Sequence, residues 1–213
     1  MNIVNFKKQQ IRVFEEGKSN TKAGVFYPGL AYSLQSPAFF YLMDLFRHYN
    51  YDLVGIDYRY NENTEFMNSP EHIRKEWFAY DSEAIGKAVQ SKVQKYEEVV
   101  HVGKSLGTAV LMRQIEMGMI GVASKLVWLT PGGSSKEIYG LLKRIENRSL
   151  VIAGSADSFF RPEYIEGIKD CAHVELMILE DAGHVFEEKG NIEKSINNLR
   201  DVVKRVEGYI QKL

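Results

Sequence analysis

Six short apolar runs, each soon followed by Gly, Pro or Asp, constrain this chain more than any other feature. They cover residues 25–27, 52–57, 99–102, 126–129, 150–153 and 175–179. Most are near-continuous in Val, Ile and Leu rather than alternating, as expected of strands covered on both faces. Between them lie stretches with helical periodicity at 37–49, 70–93, 106–119, 136–145, 162–169 and 191–210. At 37–49 the apolar residues Phe39, Phe40, Met43, Leu45 and Phe46 recur near a 3.6 period. Strands alternating with helices predict an α/β fold with a mostly parallel sheet and helices on both faces. Residues 3–6 and 11–14 read as two further strands joined by polar residues 7–10, an antiparallel hairpin at one sheet edge.

The expected organisation is one domain spanning 1–213, since 213 residues make little more than one typical domain. No repeat, low-complexity segment or Pro/Ser-rich linker interrupts it. The longest stretch without periodicity is 59–69, polar and Asn-rich, which reads as a loop. Residues 131–149 leave room for one short helix and none for a large cap domain.

Composition excludes several function classes. Lys plus Arg is 27 and Asp plus Glu is 28, a net charge of −1, so no nucleic-acid or anionic-membrane partner is expected. One cysteine, Cys171, excludes a disulfide framework or a multi-cysteine zinc site. No signal peptide is expected at residues 1–8, and no run reaches the ~20 apolar residues of a membrane span. A cytoplasmic location is the expectation.

The chemistry concentrates at Gly103-Lys104-Ser105-Leu106-Gly107, where an apolar strand runs into Gly-x-Ser-x-Gly and then a helical pattern. A serine on such a turn is exposed at the strand end, with small residues on either side that let the chain reverse. The helix that follows aims its free N–H groups and positive dipole end at the serine. A phosphate-binding loop is the competing reading, because Gly103-Lys104-Ser105 copies the end of Gly-x-x-x-x-Gly-Lys-Ser. Position 98 would then have to be glycine but is Glu98, and the intervening residues are strand-like. A plain helix cap is the bland alternative.

A serine hydroxyl needs a base, and the base a third group to orient it. Two more strand ends supply them: Gly154-Ser155-Ala156-Asp157 and Ala182-Gly183-His184. The C-terminal edge of a parallel sheet is where such folds gather ligands. Asp57, by contrast, is expected to anchor a loop through Arg59, and His101 to be buried structure. No metal ligand set is expected from the remaining histidines.

With Gly103-x-Ser105-x-Gly107, Gly154-Ser155-x-Asp157 and Ala182-Gly183-His184 in this order, the chain resembles the α/β-hydrolase superfamily from residue 25 to its final helix. That resemblance implies Ser105 as nucleophile, His184 as general base and Asp157 as the group orienting the imidazole. It implies an oxyanion hole from the N–H of Leu106 and a second donor in the loop Pro28-Gly29-Leu30-Ala31, with Leu30 the expected one. Members often carry His-Gly where this chain has Pro28-Gly29. Tyr32, Phe159 and Phe160 flank the site as candidates for an apolar acyl pocket. Lys104, beside the nucleophile, raises the option of an anionic substrate. The expected activity is a lid-poor serine hydrolase cleaving a small-molecule carboxylic ester or thioester through an acyl-enzyme. An acyltransferase or amidase would use the same groups, and a non-catalytic ligand-binding module is the alternative of another class. No cofactor is implied, and a monomer and a dimer are both compatible with the sequence.

Overall fold

The computed structural model describes residues 2–17 and 20–212. Its strands are β1 (Ile3–Val4), β2 (Gln10–Glu16), β3 (Lys22–Tyr27), β4 (Tyr51–Asp57), β5 (Glu98–Lys104), β6 (Lys125–Leu129), β7 (Ser149–Gly154) and β8 (Val174–Leu179). Its helices are α1 (Pro37–His48), α2 (Thr64–Asn68), α3 (Glu71–Val93), α4 (Leu106–Glu116), α5 (Ser135–Leu142), α6 (Pro162–Glu166) and α7 (Ile192–Ile210). The eight strands form one sheet in the order β1-β2-β4-β3-β5-β6-β7-β8. β3 to β8 are mutually parallel, and β1 and β2 close one edge antiparallel.

Alternation along the strands separates two apolar layers. Val25, Tyr27, Leu126 and Trp128 face Trp77 and Ile85 of α3, Val110 and Leu111 of α4, and Ile138 and Leu142 of α5. Phe26, Val100, Val102, Val127 and Leu129 face Phe39, Leu42 and Phe46 of α1, and Val202 and Val206 of α7. Each fully buried side chain of this size stabilises the fold by roughly 1.5–3 kcal/mol. His101 alternates into the first layer, where its Nδ1 lies 3.0 Å from the Tyr27 hydroxyl, which also donates to Gln114 (2.9 Å). Burial pushes His101 down to about 3, so it stays neutral.

Three local readings need correction. The first strand ends at Val4 rather than residue 6. Asn5 Oδ1 accepts from the N–H groups of Lys7 and Gln9 (both 2.9 Å), and the Phe6 N–H goes to Asp81 Oδ1 (2.7 Å), so the backbone leaves the ladder. The segment 59–69 is not a plain loop. It holds a 3₁₀ turn at Tyr60–Glu62 and then α2, capped by Asn63 Oδ1 accepting from the Phe66 N–H (3.0 Å). Buried Tyr60 stacks between Tyr58 and Phe66 there, and its hydroxyl donates to Asp81 (2.9 Å). The helix expected over 162–169 stops at Glu166 and continues as turns.

Candidate active site

The carboxyl ends of β3, β5, β6, β7 and β8 lie level across the sheet. Tyr27 is in register with Gly103, Lys104 with Leu129, Leu129 with Ile152, and Gly154 with Leu179. The loops leaving these ends therefore meet along one edge.

Ser105 sits between β5 and α4 at φ 52, ψ −116, a positive-φ conformation that costs a non-glycine residue on the order of 1–3 kcal/mol. Its N–H is held by the Leu129 carbonyl (3.0 Å). Close packing forces the reversal to use small neighbours. A β-carbon on Gly107 would stand 2.5 Å from the Tyr27 carbonyl carbon, and one on Gly103 would stand 2.8 Å from the Gly107 oxygen. Half-buried Leu106 opens α4, so its N–H belongs to the first turn and lacks an intrahelical acceptor.

The Ser105 hydroxyl lies 2.8 Å from His184 Nε2, and His184 Nδ1 lies 2.6 Å from Asp157 Oδ2. An ionised carboxylate can only accept, so Nδ1 carries the ring proton and Nε2 offers its lone pair to the serine. The Asp157 side chain is 2% exposed, whereas that of His184 is 30% exposed. Burial pushes the Asp157 carboxyl up. The bonds from His184 and from the Phe159 N–H (2.9 Å), with the charge of Lys104, outweigh it and hold the carboxyl below its usual range. Asp57 pairs with Arg59 (2.7 Å), as the sequence suggests.

The His184 loop is braced from within. Gly183 N–H donates to the Glu187 carbonyl (2.7 Å), and the Glu187 carboxylate accepts from the Val185 N–H (2.9 Å). Asp181 and Phe186 both have positive φ here.

The loop after β3 passes directly over Ser105. A β-carbon on Gly29 would lie 3.2 Å from Ser105 Cβ. The Tyr58 hydroxyl donates to the Pro28 carbonyl and fixes the loop from behind. Leu30, the next residue, is 38% exposed beside a cleft of about 230 Å³ that also touches Gly29, Tyr32 and Arg59.

The three pocket candidates divide. The exposed Phe159 ring stands edge-on to His184, centroids 5.4 Å apart. Half-buried Phe160 closes a turn, its N–H donating to the Asp157 carbonyl (2.9 Å). Tyr32 is a brace: its hydroxyl accepts from the Ala38 N–H (2.8 Å) in the first turn of α1. A second depression of about 480 Å³ opens beside His184, lined by Ala156, Ser158, Gly183, Glu187 and Lys189.

Lys104 does not bear out the option of an anionic substrate. It is wholly buried, and its Nζ is turned to protein acceptors rather than to solvent. Its strand parity with Val100 and Val102 carries that signal, which the motif's own fame obscures. Thr130, whose hydroxyl accepts from Lys104 Nζ (2.8 Å), and Glu187 have no sequence signature. Among the described residues no group of three or more His, Cys, Asp or Glu side chains is placed to hold a metal ion. No helix among them is long and apolar enough to cross a membrane.

No family model and no curated protein matches the sequence. Solved structures do match it over nearly their whole length. The Pyrococcus furiosus esterase Pf2001 superposes with a TM-score of 0.70 at 16% identity, covering 99% of this chain and 90% of that one. XC6422 of Xanthomonas campestris, an α/β serine hydrolase without a lid, gives 0.66 at 16% identity over 100% and 95%. The chain has the α/β-hydrolase fold. Est1E of Butyrivibrio proteoclasticus, solved with ferulic acid bound, shares this α/β-hydrolase fold at a TM-score of 0.69 and 11% identity over 99% and 97%. In this chain β6 and β7 are joined through α5 alone.

Proposed function

We propose that the chain is a serine hydrolase that cleaves a small carboxylic ester or thioester through an acyl-enzyme on Ser105. The observation that carries the reading is the continuous relay of Ser105 Oγ, the His184 ring and Asp157, with contacts of 2.8 and 2.6 Å.

In that reaction Ser105 Oγ attacks the carbonyl carbon while its proton passes to His184 Nε2. The carbonyl oxygen takes up the negative charge. The N–H groups of Leu106 and Leu30 stabilise it, each worth on the order of 10²–10³ in rate. The tetrahedral centre collapses, the bond to the leaving alcohol or thiol breaks, and His184 gives it the proton. Water then repeats the sequence on the acyl-enzyme: its proton goes to His184, the acid leaves, and Ser105 recovers its hydrogen. Asp157 keeps its charge throughout and stabilises the imidazolium. The exposed Phe159 ring beside His184 offers an apolar wall for the acyl group. The esterases and serine hydrolase among the structural neighbours agree with this chemistry.

A fluorophosphonate probe tests the assignment. It should label the wild type and leave Ser105→Ala unlabelled, and the wild type should turn over p-nitrophenyl acetate or butyrate. Equal labelling of both proteins removes Ser105 as nucleophile. Stoichiometric ester binding without product favours a ligand-binding module instead.

A further inference from the structure

The hydrolase chemistry leaves one polar group of the Gly103–Gly107 turn unused. Lys104 is fully buried directly before the nucleophile. Its side chain enters the layer of α1 and α7 along with Val100 and Val102. There Nζ donates to the Thr130 hydroxyl (2.8 Å) and to the backbone carbonyl of His184 (2.8 Å). The Tyr32 ring lies 4.5 Å from Nζ and the Phe186 ring 5.4 Å. Among the described residues no carboxylate lies within ion-pair distance of it.

An ammonium buried without an ion pair is costly, and burial pulls Lys104 down to about 7 against the longer-range fields of Asp157 and Glu187. Methionine would fill much the same volume at no such cost. What the long amine gains is reach. Tyr32 belongs to the loop over the nucleophile, bridged to Gly29. Thr130 follows β6 at φ 40, a strained setting for a β-branched residue. His184 and Phe186 belong to the loop after β8. One ammonium thus ties the loops after β3, β6 and β8 to the turn after β5.

We propose that Lys104 is a positioning residue: it fixes the backbone of His184 and so the spacing of the imidazole from Ser105, while Asp157 fixes the rotation of the ring. This rests on the hydrolase reading above. A displacement of about 1 Å in such a relay can cost roughly 100-fold in rate.

The test compares wild type, Ser105→Ala and Lys104→Met by fluorophosphonate labelling, by kcat and KM on p-nitrophenyl acetate, and by thermal melting. Labelling of the wild type that is lost in Ser105→Ala establishes the hydrolase reading by itself. Without it, that reading fails and this proposal fails with it. Given it, Lys104→Met should lose about 10- to 100-fold in kcat and in labelling rate, with KM within about threefold and a melting temperature no lower than wild type. Wild-type kcat in Lys104→Met overturns the proposal alone. So does a lowered kcat accompanied by a lowered melting temperature, which marks a merely structural lysine. Should Lys104→Met not fold, Thr130→Val decides, since it removes one acceptor and no charge. A kcat loss of about threefold or more at unchanged melting temperature supports the proposal, and unchanged kcat overturns it.

Discussion

Gly154 packs against Ala182 so tightly that a β-carbon there would lie 2.7 Å from the Ala182 carbonyl carbon and nearer still to its oxygen. This approach lets the Ala156 N–H reach that same carbonyl (3.0 Å), which ties the Asp157 turn to the His184 loop. Gly154→Ala should therefore separate the two. We expect destabilisation of about 1–3 kcal/mol in urea melts, and a fall in ester turnover larger than that stability loss explains.

Asp157→Asn keeps the shape of the site and removes the charge that selects the Nδ1–H tautomer. Turnover should fall by on the order of 10⁴ with little change in KM. Steady-state kinetics on a p-nitrophenyl ester checks this. The carboxyl of Asp157 is held below its usual range, so the stability it contributes is complete above about pH 4 and is lost only as pH falls through the depressed value. Acid melts of the wild type should accordingly show this term only at the low end of the scale.

Asp81 behaves in the opposite sense. It is fully buried, accepts from the Phe6 N–H and the Tyr60 hydroxyl, and burial pushes its carboxyl up to about 6. Between about pH 4 and 6 the folded state binds this proton more tightly than the unfolded state does, so the term weakens the fold as pH rises. Asp81→Asn removes that term. Its stability relative to wild type should improve by on the order of 1 kcal/mol between pH 5 and 7.5, read from paired denaturation curves. A constant difference across that range refutes the assignment.

Gly29→Ala probes the loop over Ser105. The new methyl would meet Ser105 Cβ and Tyr32 Cβ, each at 3.2 Å, and on the proposed mechanism would push the Leu30 N–H off the reacting carbonyl. A loss of one properly placed donor costs about 10²–10³ in kcat, and a partial displacement should cost somewhat less. A wild-type kcat would remove this loop from the oxyanion hole.

Much of this arrangement is legible in the sequence because strong local signals agree with one another. The buried parallel strands are near-continuous apolar runs, and all six fall within a few residues of their observed bounds. The turn at Ser105 is legible because Gly103 and Gly107 are sterically required there. The elements that escape are short or depend on distant partners. α2 has five residues, too few for periodicity to register, and rests on one Asn63 cap and the stack of Tyr60 on Phe66. β1 is cut short by Asp81, 75 residues beyond Phe6. The setting of Lys104 depends on Thr130 and His184, whose approach exists only in three dimensions.

The imidazole edge of His184 stays in contact with solvent, 30% exposed, on a sheet where β6 passes to β7 through α5 alone. On the hydrolase reading, reactants and products would reach Ser105 from solvent along this edge, and selectivity would fall to the shape and polarity of a shallow rim.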